Sequence, residues 1–250
     1  MARLRAAGCV FAEEEADRLI GAARDEQALE AMLVRRTAGV PLEHVLGYAD
    51  FAGVRLAVAD GVFVPRHRTE LLTATARALL HDGATVLDLC CGTGALGLVA
   101  VRGFARVRLV AADIDPAAVA CARRNLAAVT AEVFEGDLFD PLPAGLRGHV
   151  DVLLANVPYV PTAEIAYLPE EFRVYERRTA LDGGPDGLDV LRRVAAVAPR
   201  WLAPGGALLT EAGPDQLPAA HALLRAAGLR PATVTDEDTE TSVVVGRRGR

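Results

Sequence analysis

The sequence contains no lysine, and all 27 of its basic residues are arginine. That bias follows the base composition of the gene and carries no functional reading. Cysteine is sparse. Cys9, Cys90, Cys91 and Cys121 form no C-x-x-C pair, which argues against a zinc ribbon or a disulfide framework and predicts reduced thiols in a cytoplasmic protein. The five histidines are scattered, with no H-x-x-x-H spacing, so no metal centre is expected. No apolar run reaches the roughly 18 residues of a membrane span. Glu13-Glu14-Glu15 arrives too early for the apolar stretch of a signal peptide. A net charge of −6 and a pI near 5.4 are a poor electrostatic footprint for a dedicated nucleic-acid binder. Neither a membrane nor a stable nucleic-acid partner is expected. No feature of the sequence specifies an oligomeric state.

What remains is ample for a core. Apolar residues make up 52% of 250, enough for one large domain or a catalytic domain with a small appendage. Residues 1–47 are rich in Ala, Leu, Glu and Arg, with no proline before Pro41, and read as a small helical hairpin. Residues 48–68 read as a linking β-hairpin. Phe51, Val54, Leu56 and Val58 lead to an expected turn at Asp60-Gly61, and Val62–Val64 follow. From residue 69 to residue 250, strand and helix signals alternate. Strands are expected at 85–89, 108–112, 131–134, 151–155 and 207–211, with a loop-rich stretch over 156–187. Two last strands, near 230–235 and 241–247, have no helix between them. This pattern predicts a parallel sheet wound on both faces, with one antiparallel strand at its edge.

Four short motifs follow the first four of these strands in order. Cys90-Cys91-Gly92-Thr93-Gly94 leaves the first strand and enters a helix, where a ligand meets free N–H groups. Gly92, Gly94 and Gly97 also spell G-x-G-x-x-G, which by itself suits a nicotinamide dinucleotide equally well. Asp113 ends the second strand, 19 residues after Gly94, where a carboxylate accepts both hydroxyls of a ribose. Asp137 and Leu138 follow the third strand and suit the amino group and ring face of an adenine. Asn156-Val157-Pro158-Tyr159 follows the fourth. The side-chain oxygen of Asn156 and the backbone carbonyl of Val157 both accept from a single NH₂ group, which fixes a nitrogen that is otherwise a poor nucleophile. Pro158 shapes the loop and adds no competing N–H, and Tyr159 offers a flat face to a planar amide or base. Ligands of open α/β sheets bind beyond the carboxyl ends of the strands, where all four motifs fall.

With these residues in view, the sequence resembles the HemK-type protein-glutamine methyltransferases from about residue 41 to the C-terminus. Pro41–Gly47, Phe51-Ala52-Gly53 and Val64-Pro65-Arg66 through Glu70 resemble the linker of that family. Asp113-Ile114-Asp115-Pro116 with Arg123-Arg124-Asn125 resembles its second motif, and Glu176-Arg177-Arg178 with Ala180–Leu188 its most specific segment. Val157 stands where the family has the first of two prolines, and Cys90-Cys91 stands where it begins its glycine loop. His67-Arg68 stands where it has a proline and an acidic residue. The resemblance implies an α/β fold, a seven-stranded Rossmann-like class I methyltransferase sheet with a small N-terminal helical domain. It implies an S-adenosylmethionine site at Cys90–Gly94, Asp113, Asp137, Leu138 and Asn156. Asn156 to Tyr159 would then hold the acceptor amide, a glutamine in an exposed protein loop such as that of a peptide-chain release factor. The residues alone also suit a small-molecule or peptide-tailoring N-methyltransferase, or a nucleic-acid amino methyltransferase acting on an extruded base.

Overall fold

A computed structural model describes all 250 residues. The N-terminal segment holds four short helices, not one hairpin: α1 (Ala2–Ala6), α2 (Ala12–Ala22), α3 (Glu26–Thr37) and α4 (Leu42–Leu46). They enclose a core of their own, built from Leu4, Ala12, Ala16, Leu19, Leu42 and Val45. Asp25 caps α3 by accepting from the backbone N–H of Ala28 at 2.7 Å.

Strands β1 (Tyr48–Phe51) and β2 (Val54–Ala57) form the expected hairpin, but its turn lies at Ala52-Gly53. Both turn residues have positive φ, +47° and +70°, as a tight two-residue hairpin loop demands. Asp60-Gly61 does turn, with Val62 N–H donating to the carbonyl of Ala59 at 3.1 Å, but no second strand returns along β2. Gly61 instead bridges to Glu176, 115 residues on in the chain. The Asp-Gly signal is local, whereas the choice of strand partner is made by tertiary packing.

The main sheet has seven strands: β3 (Thr85–Leu89), β4 (Arg108–Asp113), β5 (Ala131–Glu135), β6 (Val150–Ala155), β7 (Leu202–Glu211), β8 (Arg230–Asp236) and β9 (Thr241–Arg247). Their spatial order is β5-β4-β3-β6-β7-β9-β8. The antiparallel strand is therefore β9, and it sits inside the sheet, with β8 at the edge. After β7 the crossover through helix α10 (Leu217–Ala226) sets β8 down parallel to β7 but one strand-width away. The short turn at 237–240 then returns β9 into the gap.

Both faces of the sheet are covered. Helices α5 (Glu70–Arg77), α6 (Ala95–Val101) and α7 (Pro116–Asn125) pack on one face, over Val86, Leu109, Ala111, Val152 and Leu154. Helix α9 (Asp189–Val197) and α10 pack on the other, over Leu87, Leu89, Val110, Leu153 and Leu208. Successive residues of β3 thus face opposite layers, as the pleat requires. The expected loop-rich stretch carries a short helix, α8 (Glu170–Tyr175), among single turns.

Two polar side chains tie the layers together near the sheet edge. Asn125, at the end of α7, accepts from Ala57 N–H at 2.8 Å and donates to the carbonyls of Ala57 and Thr93 at 3.0 and 2.9 Å. It clips the hairpin to the loop after β3. Asp88 is fully buried and accepts from Gly97 N–H at 2.9 Å, while its other oxygen has no partner. Burial, opposed by the Gly97 hydrogen bond, raises its pKa to about 7.

Replacing Asn125 with Ala removes three half-buried hydrogen bonds and should lower stability by about 1–3 kcal/mol in urea unfolding. For Asp88 the sign follows from linkage. Between its ordinary value of 3.8 and about 7 the folded chain holds a proton that the unfolded chain has released, so Asp88 costs stability as pH rises through that window. Asp88→Asn should gain on the wild type by up to about 1.4 kcal/mol per pH unit within the window, then level off above it. Unfolding midpoints compared at low, neutral and alkaline pH test this, and a constant difference would contradict it.

Candidate active site

A cavity of about 420 Å³ opens at the carboxyl ends of β3, β4 and β6. Its floor is the backbone of Cys90 to Thr93, which stays in loop conformation because α6 begins only at Ala95. Cys90 holds φ = +54° although it is not glycine, a conformation that costs an ordinary side chain about 1–2 kcal/mol. Burial pushes both neighbouring thiols well up, with the carboxylates of Asp88 and Asp113 adding to the effect. Neither is a thiolate nucleophile at neutral pH.

Asp113 forms one wall. Its two oxygens accept from Gly92 N–H at 2.8 Å and from Asp115 N–H at 2.9 Å. These bonds aim the carboxylate across the loop and leave lone pairs for a ligand. Burial raises its pKa, and the backbone donors oppose the rise. Asp115 caps α7 by accepting from Ala117 N–H at 2.9 Å and pairs with Arg177 at 3.1 Å.

The opposite wall is Asn156 to Tyr159. Asn156 Oδ1 is buried and has no hydrogen-bond partner. The loop is braced from behind. Val160 N–H donates to Leu181 at 3.0 Å, Gly183 N–H donates to Val160 at 2.9 Å, and Gln216 Nε2 donates to the carbonyl of Tyr159 at 2.9 Å. Gly183 packs so closely that a Cβ would lie 2.7 Å from the carbonyl of Pro158, and a Cβ on Gly187 would collide with that of Tyr159. The run Leu181–Leu188 is therefore a backbone buttress for the Asn156 loop, which accounts for its glycines.

The roof comes from two segments that sequence reasoning did not place at the site. Phe63, Pro65, Arg66 and Arg68 come from the linker, and Leu168 and Phe172 from the stretch after β6. Arg66 joins them. It pairs with the buried carboxylate of Glu176 at 2.5 Å and lies over the rings of Phe63 and Phe172. Val64 N–H also donates to Glu176 at 3.1 Å. Burial raises the Glu176 pKa, while Arg66 lowers it. No local signal marks Leu168 and Phe172, which stand among other apolar residues such as Val160, Ile165 and Val174. Tyr159 accepts a 2.7 Å hydrogen bond from Arg68, and burial raises its pKa, so its own proton stays in place to donate.

Cys90 to Thr93, Asp113 and Asn156 to Tyr159 thus line one cavity, whereas Gly94, Asp137 and Leu138 do not. Gly94 caps α6 in left-handed conformation, packed on Ala122 and Leu126. The Asp137 carboxylate is held at the surface by Arg193 at 2.6 Å. Leu138, at φ = +48°, packs against the α9 layer.

A family model described as methyltransferase small domain matches residues 56–172. The release factor glutamine methyltransferase of Geobacter sulfurreducens is 34% identical over 223 residues, covering 88% of this chain and 78% of that one. A 4-amino-L-phenylalanine/4-methylamino-L-phenylalanine methyltransferase of Streptomyces pristinaespiralis is 38% identical, covering 78% of this chain and 68% of that one. Among solved structures, a methyltransferase from Pyrococcus furiosus superposes with a TM-score of 0.61 at 16% identity, covering 88% of this chain and 98% of that one, a likeness of fold. With 34% identity over 78% of the Geobacter protein's length, the chain belongs to the HemK-type release factor glutamine methyltransferase family, which uses S-adenosylmethionine.

Proposed function

We propose that the chain transfers a methyl group to the side-chain amide of a glutamine presented in an exposed protein loop, with a peptide-chain release factor as the substrate. The observation that carries this reading is the orphaned Oδ1 of Asn156. A buried carbonyl oxygen without a donor costs about 1–3 kcal/mol, and an incoming NH₂ group removes that cost. The relatives named for release factor glutamine methylation support the same acceptor.

S-adenosylmethionine supplies, when bound, a methyl group on a positively charged sulfur. Asp113 is suited to accept from a ribose, and the 90–93 loop lets a ligand approach the backbone. Asp137 and Leu138 would contribute at the adenine end once Asp137 leaves Arg193, an exposed pair of little strength. At the acceptor end, Asn156 Oδ1 and the carbonyl of Val157 would hold both hydrogens of one nitrogen. That arrangement points its lone pair at the methyl group and stabilises the positive charge that develops on the nitrogen. Tyr159 and Phe172 offer flat faces to the planar amide. Transfer would break the sulfur–methyl bond, leaving a neutral thioether, and would make the N–H held by Asn156 acidic enough to pass its proton to water, so no strong base is needed. The four free cysteines fit a reducing, cytoplasmic setting.

A second reading has one observation in its favour. The relative that acts on 4-amino-L-phenylalanine is as similar as those named for release factors, and an aryl amine offers the same planar NH₂ group.

Labelled methyl transfer to purified release factor, with mass mapping of the product, tests the proposal. Modification of the glutamine supports it, and modification elsewhere or not at all, with cofactor bound, contradicts it. Asn156→Ala should reduce kcat/KM by roughly 100-fold or more, and near-normal turnover would remove the mechanism. Asp113→Ala should act mainly on cofactor affinity, a loss of about 1.5–3 kcal/mol in calorimetry. Unchanged affinity would show that the ribose lies elsewhere.

A further inference from the structure

Few ionisable groups line the cavity, and most are already satisfied. Asp113 is tied to two backbone N–H groups, Asp115 pairs with Arg177, and Arg66 pairs with Glu176. Arg68 is the exception. It lines the cavity, forms no ion pair, and makes its one side-chain hydrogen bond to the Tyr159 hydroxyl at 2.7 Å. A guanidinium has five N–H donors, so most of its donors are uncommitted. Glu211 influences Arg68 without pairing with it. That carboxylate is buried, bonded by Thr69, and has one oxygen without a partner. Arg68 is itself solvent-exposed, and the lining it belongs to also includes the apolar Phe63, Leu168 and Phe172. Tyr159 belongs to the loop assigned to the acceptor, so this hydrogen bond sets the Arg68 guanidinium against that loop.

We propose that Arg68 selects acceptors that carry a carboxylate within its reach when their nitrogen is held at Asn156. The inference rests on the acceptor site assigned above. A carboxylate brought beside Arg68 would take up its uncommitted donors, and an acceptor with a basic neighbour would meet repulsion from the same group. Two sources present this chemistry. One is an acidic side chain flanking the glutamine of a peptide loop, and the other is the α-carboxylate of a free amino acid bearing an aryl amine.

The experiment uses two matched pairs of acceptors with the full chain. The first pair is a Gly-Gly-Gln peptide flanked by aspartate and the same peptide flanked by asparagine. The second is 4-aminophenylalanine and its decarboxylated amine. In the pair that holds the true source, loss of the carboxylate should raise acceptor KM by roughly tenfold, about 1.4 kcal/mol. Arg68→Gln should erase that preference with the KM for cofactor unchanged, and Arg68→Lys should retain most of it. A general weakening of the fold would alter kcat for both members of a pair alike. The inference is overturned if the wild type treats both members of each pair equally. It is also overturned if Arg68→Gln raises the KM for cofactor and leaves acceptor preference intact. Absence of transfer to all four acceptors, with cofactor binding confirmed by calorimetry, removes the acceptor reading itself and this inference with it.

Discussion

Every chemical feature of this molecule depends on three strands running parallel and ending level. Leu89 of β3 lies opposite Ala112 of β4 and Ala155 of β6 in the sheet register. The next residues of each strand therefore emerge side by side, as Cys90, Asp113 and Asn156. No side chain has to reach far. The backbone ladder sets the spacing between the loop after β3, the Asp113 carboxylate and the Asn156 amide before any of them makes a contact. Helix α9 and the 181–187 buttress hold the last of these loops in place.

The strands were legible because they are buried on both faces. Thr85–Leu89, Arg108–Asp113 and Val150–Ala155 read as short apolar runs bounded by turn residues, and their alternation with helical segments specified a doubly wound sheet. The motif residues at their carboxyl ends were legible for the same reason. What failed needed information from distant parts of the chain. Ala52-Gly53 turns the hairpin because β1 and β2 pack their Phe51 and Leu56 into the main core, and no local rule ranks that turn above Asp60-Gly61. The interior place of β9 depends on the gap that the α10 crossover leaves. Leu168 and Phe172 are ordinary in sequence, and only the fold brings them over the cavity.

The electrostatics of the cavity follow from how little water its walls admit. Asp88, Asp113, Glu176 and Glu211 all have raised pKa values, with burial as the largest cause in each. Three of the four keep an oxygen with no partner. Such groups do not stabilise the fold by themselves. Their value is positional: Glu176 fixes Arg66 between two aromatic rings and so holds the linker against the stretch after β6. Asp88 anchors the start of α6 beneath the cofactor loop. The unpartnered oxygen of Asn156 differs from these in belonging to a residue that lines the cavity.

This division of labour also explains which departures from the family pattern the chemistry tolerates. At position 157 the useful group is a backbone carbonyl, so valine serves if its side chain finds room. It does, at 3% exposure within the apolar core over β6. At position 90 the useful feature is a loop in left-handed conformation, and Cys90 adopts it at a modest strain cost that the surrounding packing sustains. Position 68 differs in kind. There the side chain itself faces the cavity, so exchanging an acidic residue for arginine changes what the pocket attracts. Val157 and Cys90 contribute through their backbone, whereas Arg68 presents its side chain to the cavity and is the departure that would redirect the choice of acceptor.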